Sequence, residues 1–104
     1  MERYSIELSE RAQNDLKELF VYVKNQLLEP AIALKLIDKI ETQLMAIETM
    51  PKRYNVIDTE PFRTNQIRLF PIENHIAFYT VDDATKTVYT VRILYGHRNW
   101  QEII

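Results

Sequence analysis

Thr87-Val-Tyr-Thr-Val-Arg-Ile-Leu-Tyr95 is a run of β-branched and aromatic residues that ends on Gly96, and His97-Arg98-Asn-Trp100-Gln-Glu-Ile-Ile104 follows. β-branched and aromatic side chains fit a pleated, half-buried surface, so the run predicts a strand over 87–95. Gly96 is the only glycine in 104 residues. A lone glycine at a strand end predicts a backbone position that needs φ > 0 or a close approach. It therefore fixes where His97 and Arg98 are presented. The tail from Trp100 to Ile104 is amphipathic and predicts a short C-terminal helix.

Working back from this strand, two more runs of the same kind cover 75–82 and 62–70. The connections Asp82-Asp-Ala-Thr-Lys86 and Pro71-Ile-Glu-Asn74 are short enough for hairpins. Aspartate is a favoured turn residue, so Asp82 and Asp83 read as turn formers rather than as a catalytic carboxylate pair. Lys52 to Pro61 is a polar loop. Upstream of it the hydrophobic period changes to that of a helix. Ala33, Ile37, Ile40, Leu44 and Ile47 mark one stripe, and Ala12, Leu16, Leu19, Phe20, Val23 and Leu27 mark another. Glu29-Pro30 separates them, because proline bars the preceding residue from the α region and suits a first helical turn. Helices are expected over 9–28 and 30–50, with Ser9 as N-cap of the first. Arg3 to Leu8 alternates with period two and predicts an N-terminal strand. The order implies one α+β domain over residues 1–104: an N-terminal strand, then an antiparallel helical hairpin packed on one face of an antiparallel sheet.

Composition narrows the chemistry. The chain has no cysteine, which excludes disulfides and thiolate metal sites and suits an intracellular setting. His75 and His97 lack the spacing of metal ligands, so no metal is expected. With one glycine there is no phosphate-cradling loop, and no nucleotide cofactor is expected. Met1 to Leu8 lacks the apolar run of a signal peptide, and no apolar segment approaches the ~18–20 residues that span a bilayer. A cytoplasmic protein without membrane contact is the expectation.

Net charge is −2. Residues 1–51 carry 6 Lys/Arg against 9 Asp/Glu, and residues 52–104 carry 7 against 6. Five of those seven cations are arginines, the residue suited to bidentate phosphate contacts. Any anion site therefore belongs to the second half. Metal-free RNA cleavage needs a base for the ribose 2′-hydroxyl, a cation for the phosphorane and an acid for the leaving oxygen. His97 is the acid/base by type, with an unperturbed pKa of ~6.5. Arg68 and Arg98 are the candidate phosphate clamps that complete a catalytic set, with Arg63, His75 and Arg92 as substrate-binding groups. The bland alternative is that Arg63, Arg68 and Arg92 decorate the solvent face of the sheet.

Several segments together resemble the RelE/ParE family of bacterial toxins. Ser9-Glu-Arg-Ala12, Asp15-Leu16 and Tyr22 resemble its first helix, and Leu44 to Pro51 with Tyr54 resembles the end of its second. Phe62-Arg63, Phe78-Tyr79-Thr-Val81 and Val91-Arg-Ile-Leu-Tyr-Gly-His-Arg98-x-Trp100 resemble its strand motifs. The resemblance implies the toxin of a type II toxin-antitoxin module of the plasmid-stabilisation kind. A cognate antitoxin would bind it, with Trp100, Ile103 and Ile104 as partner-binding residues, and would bring it to operator DNA only indirectly. The RelE branch implies a metal-independent endoribonuclease (an mRNA interferase) acting on ribosome-bound mRNA. The ParE branch implies an inhibitor of DNA gyrase that is not an enzyme. Ile76 stands where RelE-like enzymes carry an arginine, and Ile103-Ile104 where they carry a catalytic tyrosine. Arg98 matches the arginine after the last strand, and the Ile-Leu-Tyr-Gly-His-Arg-Asn-Trp ending is more ParE-like. A protein-binding module of the same fold without toxicity is the alternative.

Overall fold

The computed structural model describes residues 3–96 and Trp100. Strand β1 (Ser5–Leu8) leads into helix α1 (Glu10–Leu27), followed by helix α2 (Pro30–Met45), strand β2 (Arg68–Ile72), strand β3 (His75–Asp82) and strand β4 (Thr87–Tyr95). The four strands form one sheet in the order β1-β4-β3-β2.

The switch from strand to helix happens at Ser9, whose hydroxyl accepts the Ala12 N–H and caps α1, a contribution of about 1 kcal/mol. The same hydroxyl donates to the Val91 carbonyl, and the Ser9 N–H donates to that of Thr90. One residue thus starts the helix and pins it to β4. Leu28, at a left-handed φ of 55°, ends α1. Pro30 opens α2, which finishes at Met45 in a 3₁₀ turn over Ala46–Glu48 rather than running on to residue 50.

The two helices pack on one face of the sheet. Ile40, Leu44 and Ile47 meet Phe70, Ile72, Tyr79, Val88 and Ile93 there, together with Leu16 of α1. Each such side chain contributes about 1.5–3 kcal/mol when fully buried. The opposite face has a smaller aromatic layer. Trp100 lies with its ring centroid 5.5 Å from Phe62 and 5.2 Å from Phe78, both of them buried.

Three expectations need correction. The sheet is mixed, because β1 pairs with β4 in parallel, Ser5 beside Thr87 and Leu8 beside Thr90. The helical hairpin supplies the long crossover that parallel pairing demands. Residues 62–67 are not strand: 62–66 are turn, closed by bonds from the Arg63 N–H to the Thr59 carbonyl and from the Ile67 N–H to the Phe62 carbonyl. The Glu60 carboxylate accepts the Thr64 N–H and stabilises that turn, and Gln66 leaves it at a φ of 54°. Conversely, β2 continues through Pro71 to Ile72. Proline is tolerated because β2 is an edge strand and its missing N–H breaks no inner ladder. The hairpin turn is then only Glu73-Asn74. The second hairpin follows expectation: Asp82 accepts the Ala84 N–H and fixes the turn with its own side chain. The expected short C-terminal helix lies outside the described residues except for Trp100.

Candidate functional site

Residues from α1, β4 and the Glu73-Asn74 turn converge at one end of the sheet. Arg92, expected to contact substrate, is bound to Asp15 of α1. Its Nε and Nη2 donate to Oδ2 and Oδ1 at 2.8 and 2.9 Å, and the Ile93 N–H donates to the same carboxylate at 2.9 Å. Both side chains are about nine-tenths buried, at 11% and 8% exposure. The bond to Asp15 raises the guanidinium pKa above its ordinary value. Between Phe78 and Tyr79 the register with β4 slips by one residue, so that Phe78 pairs with Arg92 and Tyr79 with Thr90. Asp15 meets β4 beside this irregularity. Neither a solvent-facing decoration nor a free phosphate ligand describes Arg92: it clasps α1 to β4.

Beside this clasp opens a groove of about 650 Å³. Asp15, Glu18 and Tyr22 come to it from α1, Glu73 from the turn, His75 from the start of β3 and Tyr95 from the end of β4. His75 stands edge-on to Tyr95, ring centroids 5.6 Å apart, and its Nδ1 is buried without a hydrogen-bond partner. Burial lowers its pKa below the usual 6.5.

Arg68 lies elsewhere. It pairs with Tyr79 across β2 and β3, four residues along β3 from His75, a distance of ~13 Å at the usual rise. Its Nη1 donates to the carbonyls of Tyr54 at 2.6 Å and Lys52 at 3.3 Å. The Tyr79 hydroxyl donates to the Pro51 carbonyl at 2.6 Å, and burial pushes its pKa up to about 12. Arg68 and Tyr79 together tie the 51–54 loop to the sheet. Arg63 is exposed on the 59–66 turn and pairs with Asp58 and Glu60 at 3.3 Å each.

Gly96 donates its N–H to the Asn74 carbonyl at 2.8 Å, and a Cβ there would sit 3.2 Å from that oxygen. Close approach, not φ > 0, is why a glycine suits this position. β4 therefore delivers the chain to the Glu73-Asn74 turn, at the groove end of the sheet and away from Arg68. His97, Arg98, Ile103 and Ile104 lie outside the described residues. Trp100 spends much of its surface on Phe62 and Phe78 and is half-buried.

The sequence reading missed Asp15, Glu18, Tyr22, Glu73 and Tyr95 as a group. Asp15, Glu18 and Tyr22 follow one another at helical spacing beside the apolar stripe of α1. That flanking stripe was the available signal.

The family model describing the ParE toxin of the type II toxin-antitoxin system parDE matches residues 6–100. The chain belongs to the ParE toxin family. The fold agrees with that of solved structures. A chain of the chromosomal ParDE toxin-antitoxin system from P. aeruginosa superposes with a TM-score of 0.72 at 18% identity, covering 89% of this chain and 96% of that one. A chain of the RelBE2 toxin-antitoxin complex from Mycobacterium tuberculosis superposes at 0.63 and 18% identity, covering 89% and 98%. No curated protein matches the chain significantly by sequence. ParE-family membership makes this chain the toxin of a type II module. Among the described residues no helix is long and apolar enough to cross a membrane.

Proposed function

We propose that this ParE-family toxin arrests growth by binding DNA gyrase in the cytoplasm rather than by cutting ribosome-bound mRNA, and that a cognate antitoxin neutralises it. The observation that supports this reading is how the expected phosphate ligands are engaged. Arg92 is held by Asp15, Arg68 by two backbone carbonyls and Arg63 by two carboxylates. His75 lines a groove that also holds Asp15, Glu18 and Glu73. A polyanion approaching that groove meets like charge, whereas a protein partner can match it. On this reading His97 and Arg98, just beyond Gly96, are target contacts and not an acid and a phosphate clamp, and the antitoxin alone links the toxin to operator DNA.

Induced expression of the wild-type chain tests the proposal. Growth should stop, and co-expression of the neighbouring reading frame should restore it. DNA supercoiling should fall in arrested cells while ribosome-bound mRNA stays intact. Cleavage of mRNA within the ribosome, lost on His97→Ala or Arg98→Ala, would replace the gyrase reading with a ribonuclease one.

A further inference from the structure

The loop after α2 is pinned on both flanks and leaves its tip to solvent. The Tyr79 hydroxyl holds the Pro51 carbonyl, Arg68 holds those of Lys52 and Tyr54, and the Tyr54 ring stacks on Phe70 with centroids 4.3 Å apart. Between these anchors Lys52 and Arg53 stand exposed, and the Arg53 N–H closes the turn on the Met50 carbonyl. A backbone fixed in this way presents its side chains at little further ordering cost. The tip borders a shallow cleft of about 480 Å³, to which Tyr4, Met50, Pro51, Lys52 and Arg53 all contribute. Among the described residues no carboxylate lines it. Asp83 beside it is already engaged, by Lys52 at 2.6 Å and by the Tyr4 hydroxyl at 2.7 Å, and Lys86 sets a further cation 5.2 Å from the centre of the Tyr4 ring. The Arg53 side chain makes no hydrogen bond or ion pair with a described residue. Its surroundings separate two kinds of partner. Nucleic acid is held through runs of cations, and this chain carries a net charge of −2. Arg53 is accompanied instead by Met50, 53% exposed, and by half-buried Tyr4. Methionine, arginine and tyrosine are the residues that protein interfaces favour.

We propose that this cleft receives an acidic segment of the target protein, gyrase, which sets a carboxylate against Arg53 and Lys52 and lays an apolar side chain on Met50 and Tyr4. This rests on the gyrase reading above and adds a second contact and the chemistry of what it meets. The Arg53 guanidinium can grip a carboxylate with two parallel bonds, which fixes orientation, while the apolar contact slows release. Ser5 pairs with Thr87, so the cleft lies near the start of β4, whereas Gly96 follows its end, about 30 Å away at the usual rise. The target is thus touched at both ends of the last strand.

The test is a titration of the full-length protein against purified gyrase without DNA, read as affinity. The variants are Arg53→Glu, Met50→Ser and, as a charge reversal on the exposed side of α2 away from the cleft, Lys39→Glu. Thermal melting verifies that each variant is folded, and Arg53→Gln replaces Arg53→Glu if that variant is not. Arg53→Glu should weaken binding on the order of 10–100-fold and Met50→Ser on the order of 10-fold, with Lys39→Glu unchanged. The wild-type affinity should fall with added salt more steeply than that of Arg53→Gln. Wild-type affinity in both Arg53→Glu and Met50→Ser would overturn the docking site and leave the gyrase reading standing. No binding of the wild type to gyrase would overturn both. Retention of a bare DNA duplex by the wild type, lost on Arg53→Glu, would assign the loop to nucleic acid and would equally overturn the proposal.

Discussion

Removing the Asp15 carboxylate tests the structural assignment of Arg92. Asp15→Ala deletes two charge-assisted bonds to the guanidinium and the bond from the Ile93 N–H. The guanidinium is then left charged at 11% exposure with its partner gone. Breaking a buried pair from one side costs about 3–5 kcal/mol, because an uncompensated charge remains behind. A domain of this size has a total stability of about 5–15 kcal/mol, so the loss is a large fraction of it. For chains near 100 residues each kcal/mol moves Tm by roughly 4–8 °C, and a fall of at least about 12 °C follows. The assay is thermal and urea denaturation of the wild type, Asp15→Ala, Arg92→Met and Asp15→Leu/Arg92→Met. The double variant should recover most of the loss, since replacing both partners of a buried pair with apolar groups is often close to neutral. A loss under about 1 kcal/mol for Asp15→Ala, the size expected of an exposed pair, would refute the clasp and return Arg92 to the candidate ligands.

Three further outcomes follow from the same structure. Tyr79 is held neutral up to about 12 by burial, so between the unfolded value of ~10 and about 12 the folded chain keeps a proton that the unfolded chain has lost. Stability should therefore fall as pH rises through that window, and Tyr79→Phe should remove the extra steepness in alkaline melts. His75 has the opposite sign: its pKa is lowered by burial, so below 6.5 the unfolded chain takes up a proton that the fold resists, and stability falls with acid. Its ring resonances in an NMR titration should move at a midpoint below 6.5 even with Asp15, Glu18 and Glu73 lining the same groove. Trp100→Ala should cost about 1–3 kcal/mol in urea denaturation through the lost packing on Phe62 and Phe78, and no loss would place Trp100 free for a partner.

The hydrophobic period was enough to place α1, β3 and β4, where apolar spacing, Ser9 and the Asp82 turn all point the same way. It failed at β2 because Phe62 and Ile67 are both residues enriched in strands. What separates them is the Glu60 carboxylate closing a turn and an edge position that admits Pro71. The direction of β1 was not legible either, since alternation reports a buried face and says nothing of whether the neighbour runs parallel. At the site, Gly96 was read as needing either φ > 0 or close approach, and the structure shows the second and not the first. Residue type alone named Arg63, Arg68 and Arg92 as anion ligands, and the acceptors that engage them were not legible in the sequence. Asp15 lies 77 residues from Arg92 in sequence, and the acceptors of Arg68 are backbone carbonyls that no side-chain pattern announces. The groove formed by Glu18, Tyr22 and Glu73 exists only after the α1 face and the hairpin turn meet.

The central claim, a ParE-family toxin that grips gyrase and does not cut mRNA, is tested most directly by assaying one purified preparation on two substrates. Gyrase supercoiling of relaxed plasmid and mRNA integrity on translating ribosomes are measured across the same concentration series. The account predicts that supercoiling is inhibited, that the neighbouring gene's product reverses the inhibition, and that ribosome-bound mRNA stays full length at every concentration. Full supercoiling activity alongside mRNA cut within the ribosome would contradict it.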